Sequence, residues 1–103
     1  MHRIHLALVV AAFGLLAVAP AQAATPSLVG KVGPGFTITL KKGGAKVTKL
    51  KAGKYSITVS DLSSSHDFHL VGPGVNKTTS VGGTTKVTWT VTLQKGKTYR
   101  FMA

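Results

Sequence analysis

The chain has 103 residues, of which 13 are Lys or Arg, 2 are acidic and none is Cys. This length allows one small domain with a thin core, and the lack of cysteine excludes both a disulfide framework and a lipid-acceptor cysteine. The inventory of imidazoles and carboxylates is small, so we expect no enzyme.

The first 23 residues have the three-part layout of a cleavable secretory signal peptide. Arg3 lies in a short charged start, residues 6–18 are an apolar run, and Ala21-Gln22-Ala23 matches an A-x-A cleavage site. A membrane anchor is the alternative, but the run is shorter than the roughly 18 residues that span a bilayer. We therefore predict a signal peptide at 1–23, a mature domain at 24–103 with no transmembrane anchor, and a periplasmic or secreted location.

The charge is strongly one-sided, with a formal net charge of +11 and only Asp61 and Asp67 as anions. Two interpretations stay open. The lysines either form a solvated surface that keeps exposed strand edges apart, or they recruit an acidic partner protein or another anionic surface. Sequence-specific nucleic-acid binding is not expected, because the lysines are scattered and no stacking aromatic residues are interleaved with them.

After the leader, apolar and polar residues alternate with a period of two, which predicts β-strands. The alternation is clear at residues 36–40, 55–59 and 87–93, where each strand has one apolar face and one hydroxyl face. Weaker strands are predicted at 27–32, 46–50, 66–71 and 98–103, separated by glycine-containing turns. About seven strands without a helix predict an all-β fold, a Greek-key β-sandwich of two packed antiparallel sheets.

Residues 66–70, His-Asp-Phe-His-Leu, are the most informative stretch chemically. Successive strand residues point to opposite faces, so His66 is predicted to point inward with Phe68, and Asp67 and His69 outward. His66 is then either a buried neutral imidazole bonded to the backbone or a metal ligand. The same alternation prevents Ser65, His66 and Asp67 from forming a catalytic triad.

Several segments carry a family resemblance. The histidine-containing strand at 66–70 is followed by a strand with Trp89 and then by Leu93, Gly96, Tyr99 and Phe101 in the last strand. Together with residues 55–62, these segments resemble a plastocyanin-like cupredoxin over nearly all of the mature chain. The resemblance implies copper binding and electron transfer. The basic charge adds the expectation of an acidic redox partner protein or an anionic surface.

The resemblance also implies which ligands to expect. A type 1 blue-copper site uses two His, one Cys and an axial Met. His66 matches the first His ligand, and Ala103, in phase with Tyr99 and Phe101, stands where the family has its Cys. The resemblance therefore implies a cupredoxin that is truncated before the Cys/His/Met loop, with its last strand missing and no functional type 1 site.

Three functional hypotheses follow. The first is an exported cupredoxin-like protein whose family role is copper binding and electron transfer. The second is a metal-free basic β-sandwich that serves as a binding or structural module for an acidic partner. The third is weak, non-blue Cu(II) binding at His66 and His69, with the new amino terminus left by cleavage as a further candidate ligand.

Overall fold

A computed structural model describes residues 4–11 and 25–103. Within these ranges the chain forms ten β-strands and no helix. These residues therefore contain no helix that is long and apolar enough to cross a membrane. The strands are β1 (His5–Ala11), β2 (Ser27–Val32), β3 (Ile38–Lys42), β4 (Ala45–Lys46), β5 (Lys49–Lys51), β6 (Gly53–Asp61), β7 (His69–Gly72), β8 (Val75–Thr78), β9 (Thr85–Leu93) and β10 (Thr98–Met102).

The strands form two five-stranded sheets, in the orders β5-β1-β10-β7-β8 and β4-β3-β2-β6-β9. Both sheets are mixed, because β1 runs parallel to β5 and β2 runs parallel to β6, while the other pairs are antiparallel. Buried side chains from both sheets form one apolar cluster. The all-β prediction is confirmed and the arrangement is compatible with a β-sandwich, but the prediction of purely antiparallel sheets is wrong.

The predicted strands are recovered with shifted ends. The strand at 27–32 is β2, whereas the one predicted at 46–50 is divided between β4 and β5, and β8 was not predicted. Phe36 lies outside β3 with 63% of its surface exposed, and its ring contacts His66 rather than the core. The turn at Gly33-Pro34-Gly35 therefore delays the start of β3 by two residues.

Strand β1 comes from the segment that the sequence assigns to the signal peptide. His5–Ala11 pair with β10 on one edge and with β5 on the other. Arg3, residues 12–20 and the Ala21-Gln22-Ala23 motif lie outside the described residues. In the uncleaved chain, residues 5–11 thus form a strand of the sheet. Cleavage after Ala23 stays a prediction.

Tyr99 of β10 ties two turns to the core. Its side chain is fully buried, its phenol donates a hydrogen bond to the Pro73 carbonyl (3.0 Å), and it accepts one from the Gln94 amide (2.8 Å). Its ring lies directly over Gly72 in the neighbouring strand β7, where any Cβ atom would overlap it. The two hydrogen bonds hold the ring in place, so residue 72 has to be glycine.

Replacing Gly72 with alanine should lower the free energy of unfolding by about 2 kcal/mol, because the added methyl group overpacks a fixed ring. The matched control is Gly82→Ala, where a Cβ meets no atom within 4 Å. Urea unfolding of both variants measures the difference. Equal stability of the two variants would show that Tyr99 can move aside.

Candidate functional site

His66 lies in the loop that joins β6 to β7, just before β7 begins. Only 7% of its surface is exposed, and the edge of its ring contacts the Phe36 ring with centroids 4.7 Å apart. The predicted buried position is confirmed. The strand alternation used to predict it does not hold there, because residues 66–68 are not part of a strand.

The sequence predicts that Asp67 and His69 both face solvent, but neither side chain is fully exposed. Asp67 is buried, and its Oδ2 accepts a hydrogen bond from the Thr78 hydroxyl (3.2 Å). His69 is half-buried, and its Nε2 lies 2.7 Å from Oδ1 of Asn76 on β8. Strand β8, absent from the sequence prediction, supplies both partners, so these two side chains hold the β7–β8 pair together.

A buried carboxylate at the end of β6 was missed by sequence reasoning. Asp61 is fully buried, and its two oxygens accept hydrogen bonds from the Ser63 amide (3.0 Å) and the Thr79 hydroxyl (2.8 Å). The Thr79 hydroxyl also accepts the Phe68 amide hydrogen at 2.8 Å. This network fixes the loop that carries His66. An Asp two residues before a Ser is a turn signal that could have revealed the first of these bonds.

The donor set around His66 does not fit a type 1 copper site. The 103 residues contain no cysteine, and Ala103, at the position that the resemblance assigns to the Cys ligand, is a buried core residue. No group of three or more His, Asp, Glu or Cys side chains that could hold a metal occurs among residues 4–11 and 25–103. We therefore derive no chemical step through copper.

A second site lies where the β3–β4 hairpin meets β5. A surface cleft of about 420 Å³ opens there, and its floor includes Val47 and Leu50, both buried. The ammonium-bearing side chains around it, which together we call the lysine cleft, are Lys42, Lys46, Lys49 and Lys51. The cleft therefore combines four like charges with an apolar floor.

Backbone contacts hold the lysine cleft in shape. Gly43 and Gly44 have φ of +57° and +82°, which allows the tight turn between β3 and β4. The Tyr55 hydroxyl donates a hydrogen bond to the Lys51 carbonyl (2.7 Å), and burial raises the pKa of this phenol above its ordinary value. This hydrogen bond joins β5 to β6.

The charges of the described residues are segregated by burial. Both carboxylates are buried, while every lysine and Arg100 are exposed. The folded part that the structure describes therefore presents only positive side-chain charge to solvent. The sequence indicated the excess of charge and places the four lysines of the cleft within residues 42–51, and the β3–β4 hairpin and β5 arrange them around one cleft.

No known protein family, curated protein or solved structure matches this chain.

Replacing Thr79 with valine should lower the free energy of unfolding by about 3 kcal/mol, since the buried Phe68 amide and Asp61 carboxylate each lose a partner. Thr90→Val, on the exposed face of β9, is the matched control and should change stability by no more than about 0.5 kcal/mol. Both are measured by urea unfolding. A Thr79→Val variant as stable as the control would mean that the network contributes nothing.

Adding Cu(II) to the chain should give no intense blue absorption, because the charge-transfer band of a type 1 site needs a thiolate sulfur. A visible absorption titration checks this. The same titration is made with His66→Ala, and His5→Ala is the control because His5 is exposed and distant in sequence. A strong blue band at one equivalent of copper would contradict the ligand assignment made above.

Proposed function

We propose that this chain is a basic, non-enzymatic β-sandwich module that binds an acidic partner protein through the lysine cleft. The observation that supports it best is the segregation of charge, with both carboxylates buried and the lysines exposed. Four of those lysines converge on one cleft with an apolar floor. An acidic polypeptide combines the two chemistries that such a cleft can accept, carboxylates at its rim and aliphatic side chains at its floor.

The expected binding is weak and depends on salt. Each exposed ion pair contributes roughly 0.2–1 kcal/mol and is screened at high ionic strength. Positive charge over the whole surface raises the rate of encounter with an acidic protein more than it raises final affinity. Such a module suits transient complexes.

We also propose that the protein is exported to the periplasm or secreted. The charged start, the apolar run and the Ala21-Gln22-Ala23 motif of the first 23 residues support this.

We propose further that the scaffold is a Greek-key sandwich of the cupredoxin type. The support is the resemblance of residues 55–101, together with the burial of His66 and the inward phase of Tyr99, Phe101 and Ala103. Copper binding and electron transfer are the roles of that family, and the donor set of this chain does not fit them. The acidic-partner function therefore does not depend on copper.

Replacing both Lys46 and Lys49 with alanine should weaken binding to poly-L-glutamate about tenfold at low salt, since two exposed ion pairs are lost. The matched control is Lys77→Ala with Lys86→Ala, which removes the same charge from β8 and β9, at the opposite edges of the two sheets. Titration calorimetry at two salt concentrations measures the affinities. If both double variants lose the same affinity, net charge and not the lysine cleft determines binding.

A further inference from the structure

The slot between β5 and β10, defined by Lys49–Lys51 on one side and Thr98–Met102 on the other, is occupied by β1. Both edges of the slot present backbone groups to their occupant. The Val9 amide donates to the Thr48 carbonyl (3.0 Å) and the Val10 amide to the Lys97 carbonyl (2.9 Å). If the signal peptide is removed, as the sequence predicts, these edges lose their partner and two strands of one sheet are separated.

The inward side of the slot requires apolar side chains. Leu8 and Val10 are 0% and 1% exposed and belong to the core cluster. Leu8 is paired with Tyr99, the side chain that anchors β10. An occupant therefore needs two aliphatic residues separated by one position, because polar groups buried there would lack hydrogen-bond partners.

The slot has spare room at the position of Leu6, which is in phase with the inward residues Leu8 and Val10. Leu6 is 41% exposed and lies beside a cavity of about 190 Å³. The cavity is also lined by Phe101, Ile38, Leu40 and Val47. Residues 5–11 therefore fill the slot incompletely, and a larger apolar side chain at the position of Leu6 would fit.

The outward side of the slot is flanked by cations. Ala7 is paired with Arg100, and Val9 is paired with Lys49. Directly opposed residues on one face of a sheet interact, and opposite charges stabilise the pair. Acidic residues at the positions of Ala7 and Val9 would therefore suit the slot better than the uncharged residues found there.

We propose that this slot is a strand-acceptor site, open once residues 1–23 are removed, that takes an extended segment of the acidic partner protein. The segment has aliphatic residues at the inward positions and carboxylates at the outward ones. This inference rests on the proposed acidic-partner function and on signal-peptide cleavage. A second copy of the chain suits the slot less well, because both of its carboxylates are buried and it carries the same positive charge.

The test uses the full chain with residues 14–19 replaced by the recognition sequence of a site-specific protease. The folded protein is cut, and a fluorescent label on its amino terminus reports release of the fragment that contains residues 5–11. Three heptapeptides compete with it: HLALVVA, the same peptide with Ala7→Glu and Val9→Glu, and the same peptide with Leu8→Asp and Val10→Asp.

The expected result is that the fragment stays bound after cutting. The peptide with two Glu residues should displace it at an about tenfold lower concentration than HLALVVA at low salt, with the advantage lost at high salt. The peptide with two Asp residues should not displace it. Arg100→Ala should reduce the advantage of the Glu peptide, whereas the control Lys77→Ala, at the far edge of the same sheet, should leave it unchanged.

Several results would overturn the proposal. They are release of the fragment with no rebinding of any peptide, equal potency of the HLALVVA and Glu peptides, or self-association of the cut chain that no peptide reverses. If the cut chain loses its circular dichroism signal, recovery on adding HLALVVA supports the proposal and failure to recover contradicts it. Binding of poly-L-glutamate to the uncut chain is measured separately, so a failed slot and a failed lysine cleft are distinguishable.

Discussion

The position of β10 between β1 and β7 is the constraint on which most of this structure depends. It is hydrogen-bonded along both edges, and its inward residues Tyr99 and Phe101 fill the centre of the core. The Tyr99 phenol joins the turn at Pro73 to the one at Gln94, and the Phe101 ring stacks on Phe68 with centroids 5.9 Å apart. In a domain without disulfides, one strand thus connects the sheet, the core and the loop before β7.

Burial of the two carboxylates decides the electrostatics of the surface. Asp61 and Asp67 each accept a hydrogen bond from a threonine hydroxyl of the segment 78–79. The lysines of the described residues are exposed, so the surface there carries positive side-chain charge. The same network fixes the loop that holds His66.

The side chains of residues 5–11 suit two different roles, part of a signal peptide and a strand of the core. A run of Leu, Val and Ala suits the apolar segment of a signal peptide, and its inward residues Leu8 and Val10 suit a buried strand. Pairing with both β5 and β10 follows because an extended apolar segment satisfies two open sheet edges at once. A partner strand would have to match the geometry of the slot between β5 and β10, and it would not have to match the sequence of the leader.

The sequence by itself determined the all-β class, the position of β2 and the alternating faces of β6 and β9, because period-two alternation is a local property of each strand. It also determined the excess positive charge and the absence of a thiolate ligand. Only the tertiary structure decided the parallel pairings, the exposure of Phe36, the Asp61–Thr79 contact and the convergence of the lysine cleft. Each of these joins residues that are distant in sequence or depends on how a turn directs the chain, and alternation along one strand carries no information about which strand lies beside it.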